Sequence, residues 1–177
     1  EAMSLDFLSF ILLSLFMIHE FDEIILVKPW IKQNQDHPAY QKELFIAGKS
    51  SYPSTESLSL MIAEEFVLAF LLLLVAIFCH FSELALAVTI CHALHLLGHV
   101  SQVIQFRSWV PGGLTAVLTF PILLVVLAVY LSQNSVSWTL LILLSILVML
   151  ALLSNLLFLH KRAPKIHAWI YRISKRD

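Results

Sequence analysis

Charge is scarce in this chain: only 13% of its 177 residues are Asp, Glu, Lys or Arg, about half of what an ordinary soluble domain carries. With 59% hydrophobic residues and a mean hydropathy of +0.87, it holds more Leu, Ile, Val and Phe than one soluble core absorbs. That excludes a soluble globular enzyme and points to an integral membrane protein. Cysteine is equally sparse. Cys79 and Cys91 have neither CxxC spacing nor a loop context, so a disulfide framework is excluded and both read as small apolar packing residues. No internal repeat is present, which withdraws support from inverted-repeat transporter architecture. The first apolar run has no basic segment ahead of it and no small-residue cleavage site, and it carries His19 and Glu23; it is expected to stay in the mature protein. Glu1 and Ala2 ahead of Met3 read as an expression remnant.

What is abundant is apolar length. A membrane span needs about 20 mostly apolar residues, and five segments qualify: residues 5–27, 57–79, 82–106, 113–132 and 136–159. Breakers separate them, with Pro29 after the first, Pro53 before the second, Pro111-Gly112-Gly113 before the fourth and Gln133-Asn134-Ser135 before the fifth. Pro121 inside the fourth predicts a kink. The fold class expected is therefore all-α, a single polytopic bundle of five transmembrane helices. Lys28, Lys32, Lys42 and Lys49 follow the first span, Arg107 the third, and six basic residues the fifth, while the other loops carry none. The positive-inside rule then places the N-terminus outside and the C-terminus in the cytoplasm. The loop 28–56, with Trp30, Ile31, Tyr40, Leu44, Phe45 and Ile46, is expected to contain an interfacial segment, and the basic tail 160–177 to lie on anionic lipid.

Against this background the ionisable residues inside the spans stand out, because a charged side chain at membrane depth costs roughly 2.5 kcal/mol or more. They form three groups: His19, Asp22 and Glu23; Glu64 and Glu65; His92, His95 and His99. At about 1.5 Å of rise per residue, Glu23, Glu64, Glu65 and His99 all fall about 6 to 12 Å from the cytoplasmic end of their spans. His19 and Glu23 are four residues apart, as are His95 and His99, so each pair stacks on one helix face. Imidazole and carboxylate together suit Zn, Fe or Mn, and facing helices commonly build such sites. The expected ligands are His19, Glu23, Glu64, His95 and His99, around one or two divalent ions. Glu64 and Glu65 are about 100° apart on a helix, so one is expected to ligate or act as base and the other to pair with a basic group such as Arg107. Glu64, Glu65 and Arg107 are thus the catalytic candidates. His80 reads as a packing residue, Asp22 and Glu20 as interhelix or headgroup residues, and Glu83, His37, His160 and His167 as solvated.

The HEFDE segment at residues 19–23 resembles the HXXEE family of small bacterial membrane proteins, with Asp22 standing where the family usually has its first Glu. The histidine-rich third span, then Arg107, then VPGGLTA at 110–116, is similar to that family's later pattern of a histidine helix, an arginine and a Pro-Gly turn. The resemblance implies a grouping of these residues and, through the family, a place in a bacterial cytoplasmic membrane; it implies no settled reaction. The Glu64-Glu65 pair is also similar to that of CAAX-protease relatives, whose pattern wants an Arg where Ala69 stands.

The function this sequence points to is a membrane-embedded metal-dependent enzyme, a hydrolase or an oxygen-activating enzyme, acting on a lipidic or prenyl-like substrate in the cytoplasmic leaflet. The alternative from another class is a proton or cation transporter, or a metal-sensing membrane protein, that uses the same polar layer without chemistry. Expected partners are the bilayer, anionic lipid at the tail and a lipophilic small molecule, with a homodimer open and no nucleic acid.

Overall fold

The computed structural model describes residues 2–42 and 52–175. Among these there are five α-helices and no strands: α1 Leu5–Asn34, α2 Thr55–Phe78, α3 Ser82–Phe106, α4 Gly113–Gln133 and α5 Trp138–Ser174. A single-turn 3-10 helix, Tyr40–Lys42, follows α1. Leu44, Phe45, Ile46, Lys49 and Arg176, which entered the expectations for the first long loop and the tail, lie outside the described residues. Four helices, α2 to α5, are long and apolar enough to cross a membrane, which points to an integral membrane protein. The first helix has the length but not the composition, because Glu20, Asp22 and Glu23 crowd into a little over one turn.

Local rules account for the starts of the first two helices. Ser4 caps α1 by accepting from the Phe7 N–H, and Ser54 caps α2 by accepting from the Ser57 N–H. Helix α3 sits at the centre, packed against all four others. Its run from Leu84 to Thr89 is buried throughout, and the small residues Ala85, Ala87 and Ala93, with Ala116 opposite on α4, let the backbones approach closely. Leu8 and Leu12 of α1, Leu73 of α2, Leu123 of α4 and Leu141 of α5 complete that core. Apolar side chains also cover the outside, among them Phe10, Ile104, Val125 and Leu147, as a hydrocarbon solvent requires.

Two helices run past the ends expected for them. Helix α1 continues through Pro29 to Asn34, because only one backbone bond is lost at proline while Trp30 gains packing on Phe106 and Tyr40, with ring centroids 5.0 and 6.0 Å away. Helix α5 continues through Pro164 to Ser174, so the basic tail is helical. Its Ala163 is buried with Val27, Leu58 and Met61 in a second apolar cluster. His160, expected in solvent, is buried there too, and His167 Nδ1 lies 2.9 Å from Ser54 Oγ. Helix α4 passes through Pro121 without interruption. At the opposite end of the bundle His80 is exposed in a left-handed turn (φ +50°) rather than packed, and neighbouring Cys79 is exposed as well. Glu83, also expected in solvent, accepts from the Ser137 N–H at 2.8 Å and so ties α3 to the start of α5.

Candidate metal centre

The one-turn spacings converge from two helices. On α1, His19 and Glu23 stack on the face turned to α3; on α3, His95 and His99 stack on the face turned to α1. One donor atom from each of the four lies within 4.8 Å of the others. The contacts inside the group are His99 Nε2 to Glu23 Oε1 at 2.6 Å, His19 Nε2 to His95 Nε2 at 3.0 Å, and Glu23 Oε1 to His19 Nε2 and His95 Nε2 at 3.6 and 3.9 Å. Ligands at about 2.1 Å from a tetrahedral ion lie about 3.4 Å apart, so these separations bracket what a first-row divalent ion needs. Two imidazole nitrogens facing each other at 3.0 Å, with a carboxylate between them and a third imidazole, form a donor set that a cation satisfies at once. His19 is fully buried, while His95 is 39% exposed and gives the group an open side.

A second layer fixes His19. Thr115, in the first turn of α4, brings its Oγ1 within 3.1 Å of His19 Nδ1, 2.9 Å of Asp22 Oδ2 and 3.1 Å of the Gly112 carbonyl. The hydroxyl has one proton, and it goes to the carboxylate or the carbonyl, neither of which can donate to it. Its oxygen therefore accepts from His19 Nδ1–H, and that tautomer leaves the Nε2 lone pair directed at the group. Asp22 Oδ2 also accepts from the Thr115 N–H at 3.1 Å, supplying from α1 the anionic cap that α4 lacks at its own N-cap, Gly112. The Pro-Gly turn makes this approach possible. Gly112 has φ +73°, and a Cβ there would stand 2.7 Å from His19 Cε1 and 3.0 Å from Glu23 Cγ.

Four of the five expected ligands thus come together, and Glu64 does not. It is exposed and accepts from Asn155 Nδ2 on α5 at 2.8 Å. Adjacent helical residues diverge by about 100°, and it is Glu65 that turns inward. Glu65 lines the cavity beside the group, and its Oε1 is buried with no hydrogen-bond partner. Arg107 does not pair with either glutamate: it ends α3 in a left-handed conformation (φ +52°), exposed and without an ion pair among the described residues. Sequence reasoning missed Glu20, which is 5% exposed with Oε1 3.8 Å from His95 Nε2. Its place three residues before Glu23 on the same helix face was the available signal. Thr115 was missed as well; nothing in its sequence context marks a hydroxyl that orients a histidine on α1.

A family model described as a protein of unknown function with an HXXEE motif matches residues 10–127. The chain belongs to the HXXEE family. No curated protein and no solved structure matches it. In this HXXEE protein the motif's first and last residues, His19 and Glu23, enter the His/Glu group, while Asp22 at the fourth position holds the Thr115 contact behind His19. The matched stretch takes in α3, with His95 and His99, and the Gly112 turn that seats Thr115, so the motif and its structural partners fall within one homologous unit.

Proposed function

We propose that this protein is a metal-dependent hydrolase embedded in a membrane, acting on a lipidic or prenyl-like substrate. The observation that carries the reading is the convergence of His19, Glu23, His95 and His99 within 4.8 Å, with a carboxylate that has no partner beside them. Those four residues would hold a divalent ion, Zn, Fe or Mn, and the Thr115–Asp22 pair would keep His19 in the ligating tautomer. Such an ion supplies a Lewis acid that polarises a carbonyl or phosphoryl oxygen and acidifies water. Glu65 then serves as the proton carrier: its free oxygen takes a proton from the attacking water and returns it to the leaving group. The apolar side chains around the group favour a lipid-soluble substrate. An iron ion in the same ligands would instead favour oxygen activation, since the three histidines and one carboxylate of the group include the imidazole and carboxylate ligand types that such enzymes use.

The reading includes a topology in which α1 crosses the membrane as a fifth span, with the N-terminus outside and the tail inside. The alternation of basic residues supports it. So does the mutual satisfaction of the acidic groups of α1: Glu23 faces three imidazoles and Asp22 faces Thr115, which lowers the cost of carrying them at membrane depth.

Metal analysis of the freshly purified protein tests the proposal. Stoichiometric divalent metal is expected in the parent and in Glu64→Gln, and its loss is expected in His95→Ala and Glu23→Gln. A metal-free parent would end the proposal. Incubating the loaded protein with a membrane lipid extract, followed by mass spectrometry, should show a substrate consumed by the parent and spared by Glu65→Gln. Ion flux into liposomes without lipid turnover would favour a transport role.

A further inference from the structure

The metal group opens onto two cavities that share a wall. The outer one, about 620 Å³, extends from Glu23 and His99 past Trp30, Lys42, Tyr52 and Gln105, at the end of the bundle where α1 and α3 stop and α2 begins. The inner one, about 310 Å³, runs the other way, to Leu12, Val88 and Met149. Glu20, Glu65 and His95 line both, so the His/Glu group stands at the junction.

The dimensions of the inner cavity select its occupant. From His95 to Val88 along α3, and from Glu20 to Leu12 along α1, it spans about 10 to 12 Å of helix rise. Over that length the lining away from the junction is apolar, from Leu12, Leu13, Val88, Met149 and Leu152. An extended peptide would leave its N–H and C=O groups unsatisfied against Leu12, Leu13, Val88, Met149 and Leu152. A single hydrocarbon chain, whose atoms keep about 4 Å from their neighbours, fits and asks for no hydrogen bonds. Apart from Glu20, Glu65 and His95 at the shared junction, one polar side chain breaks the apolar lining. His92 lines the inner cavity, is 7% exposed, and its Nε2 is buried without a hydrogen-bond partner. A buried polar atom of this kind calls for a ligand atom to meet it.

Building on the metal-site reading above, we propose that the substrate is a single-chain amphiphile. It lays its hydrocarbon chain in the inner cavity and places its head group in the outer one. The bond at the head of the chain is thereby presented to His95 and Glu23, and His92 forms a hydrogen bond to an oxygen near the head end.

Photolabelling in nanodiscs of two-chain phospholipid tests this, with a graded series of straight-chain primary alcohols carrying a diazirine at the far end. Saturable labelling of Leu12, Val88 or Met149 is expected for chains long enough to reach about 10 to 12 Å from the junction. Met149→Ala should move the optimum to longer chains, Ala69→Phe should abolish inner labelling, and His92→Leu should raise the half-saturating concentration about three- to tenfold. Labelling that does not saturate, that spreads over outward residues such as Leu71 and Val125, and that is unchanged in Met149→Ala would overturn the proposal. The Met149→Ala arm decides alone if Ala69→Phe does not fold. Metal content measured on the same samples separates the two readings. Saturable labelling of a metal-free parent removes the metalloenzyme and keeps the chain site, whereas a loaded parent without saturable labelling removes the chain site and keeps the metal.

Discussion

At the scale of single residues, the group depends on side chains that never touch its centre. Asp22 and Thr115 orient His19 from behind, and losing such an outer partner typically costs 10- to 100-fold in metal affinity. Asp22→Ala should therefore weaken metal binding by about that factor in a chelator competition while leaving the helical content unchanged. Asp22→Glu, which restores the family's usual residue, should retain most of the affinity. If Asp22→Ala bound metal as tightly as the parent, the relay through Thr115 would have no role. Gly112→Ala attacks the same contact from the turn. A residue with a Cβ pays about 1 to 2 kcal/mol for the left-handed conformation, and here it would also push on His19 and Glu23. A lowered melting temperature together with weaker metal binding is the expected result. His19, Glu23, His95 and His99 were legible in the sequence because one-turn spacing fixes a common face and membrane depth makes filler implausible. The choice between Glu64 and Glu65 was not legible, since adjacent residues differ only by a rotation that the packing of α2 against α5 decides, and Asn155 on α5 takes Glu64. Arg107 misled for a related reason: nearness in sequence to the site said nothing about the left-handed turn that leaves it exposed.

At the scale of elements, the apolar runs located the helices and the prolines did not end them. Pro29 read as a stop and the fifth span was expected to end at residue 159, yet α1 and α5 both continue because the added turns bury apolar surface: Trp30 on Phe106, and Ala163 among Val27, Leu58 and Met61. Tertiary packing outweighs one missing backbone bond. The tail consequently belongs to the folded bundle, which its basic composition did not reveal, because charge reports the solvent-facing side and not the stripe of Ala163 and Ile166 beneath. A substitution distinguishes the two descriptions. Ala163→Asp puts a carboxylate into that cluster, and an unpaired buried charge costs several kcal/mol. The melting temperature in detergent should fall clearly, whereas a tail that merely rests on lipid would leave it unchanged.

At the scale of the whole molecule, the proposed topology makes one further demand, and the two cysteines are placed to test it. Cys79 is exposed in the turn between α2 and α3, while Cys91 is buried inside α3 and close to the Ser145 carbonyl. With the basic ends of α1, α3 and α5 facing the cytoplasm, the α2–α3 turn faces outside. A membrane-impermeant maleimide applied to intact spheroplasts should therefore label the parent at Cys79 and leave Cys79→Ser unlabelled. Ser174→Cys placed in the Cys79→Ser background should react only after the membrane is opened, because Ser174 lies at the exposed end of α5. The two positions must also differ for a reason internal to the bundle. The His/Glu group sits near the end of α3 that Arg107 terminates, the far end from Cys79, so the orientation decides from which leaflet a substrate enters. Labelling of Cys79 only from inside would invert the molecule and move the outer cavity, with Lys42 and Gln105, to the external leaflet.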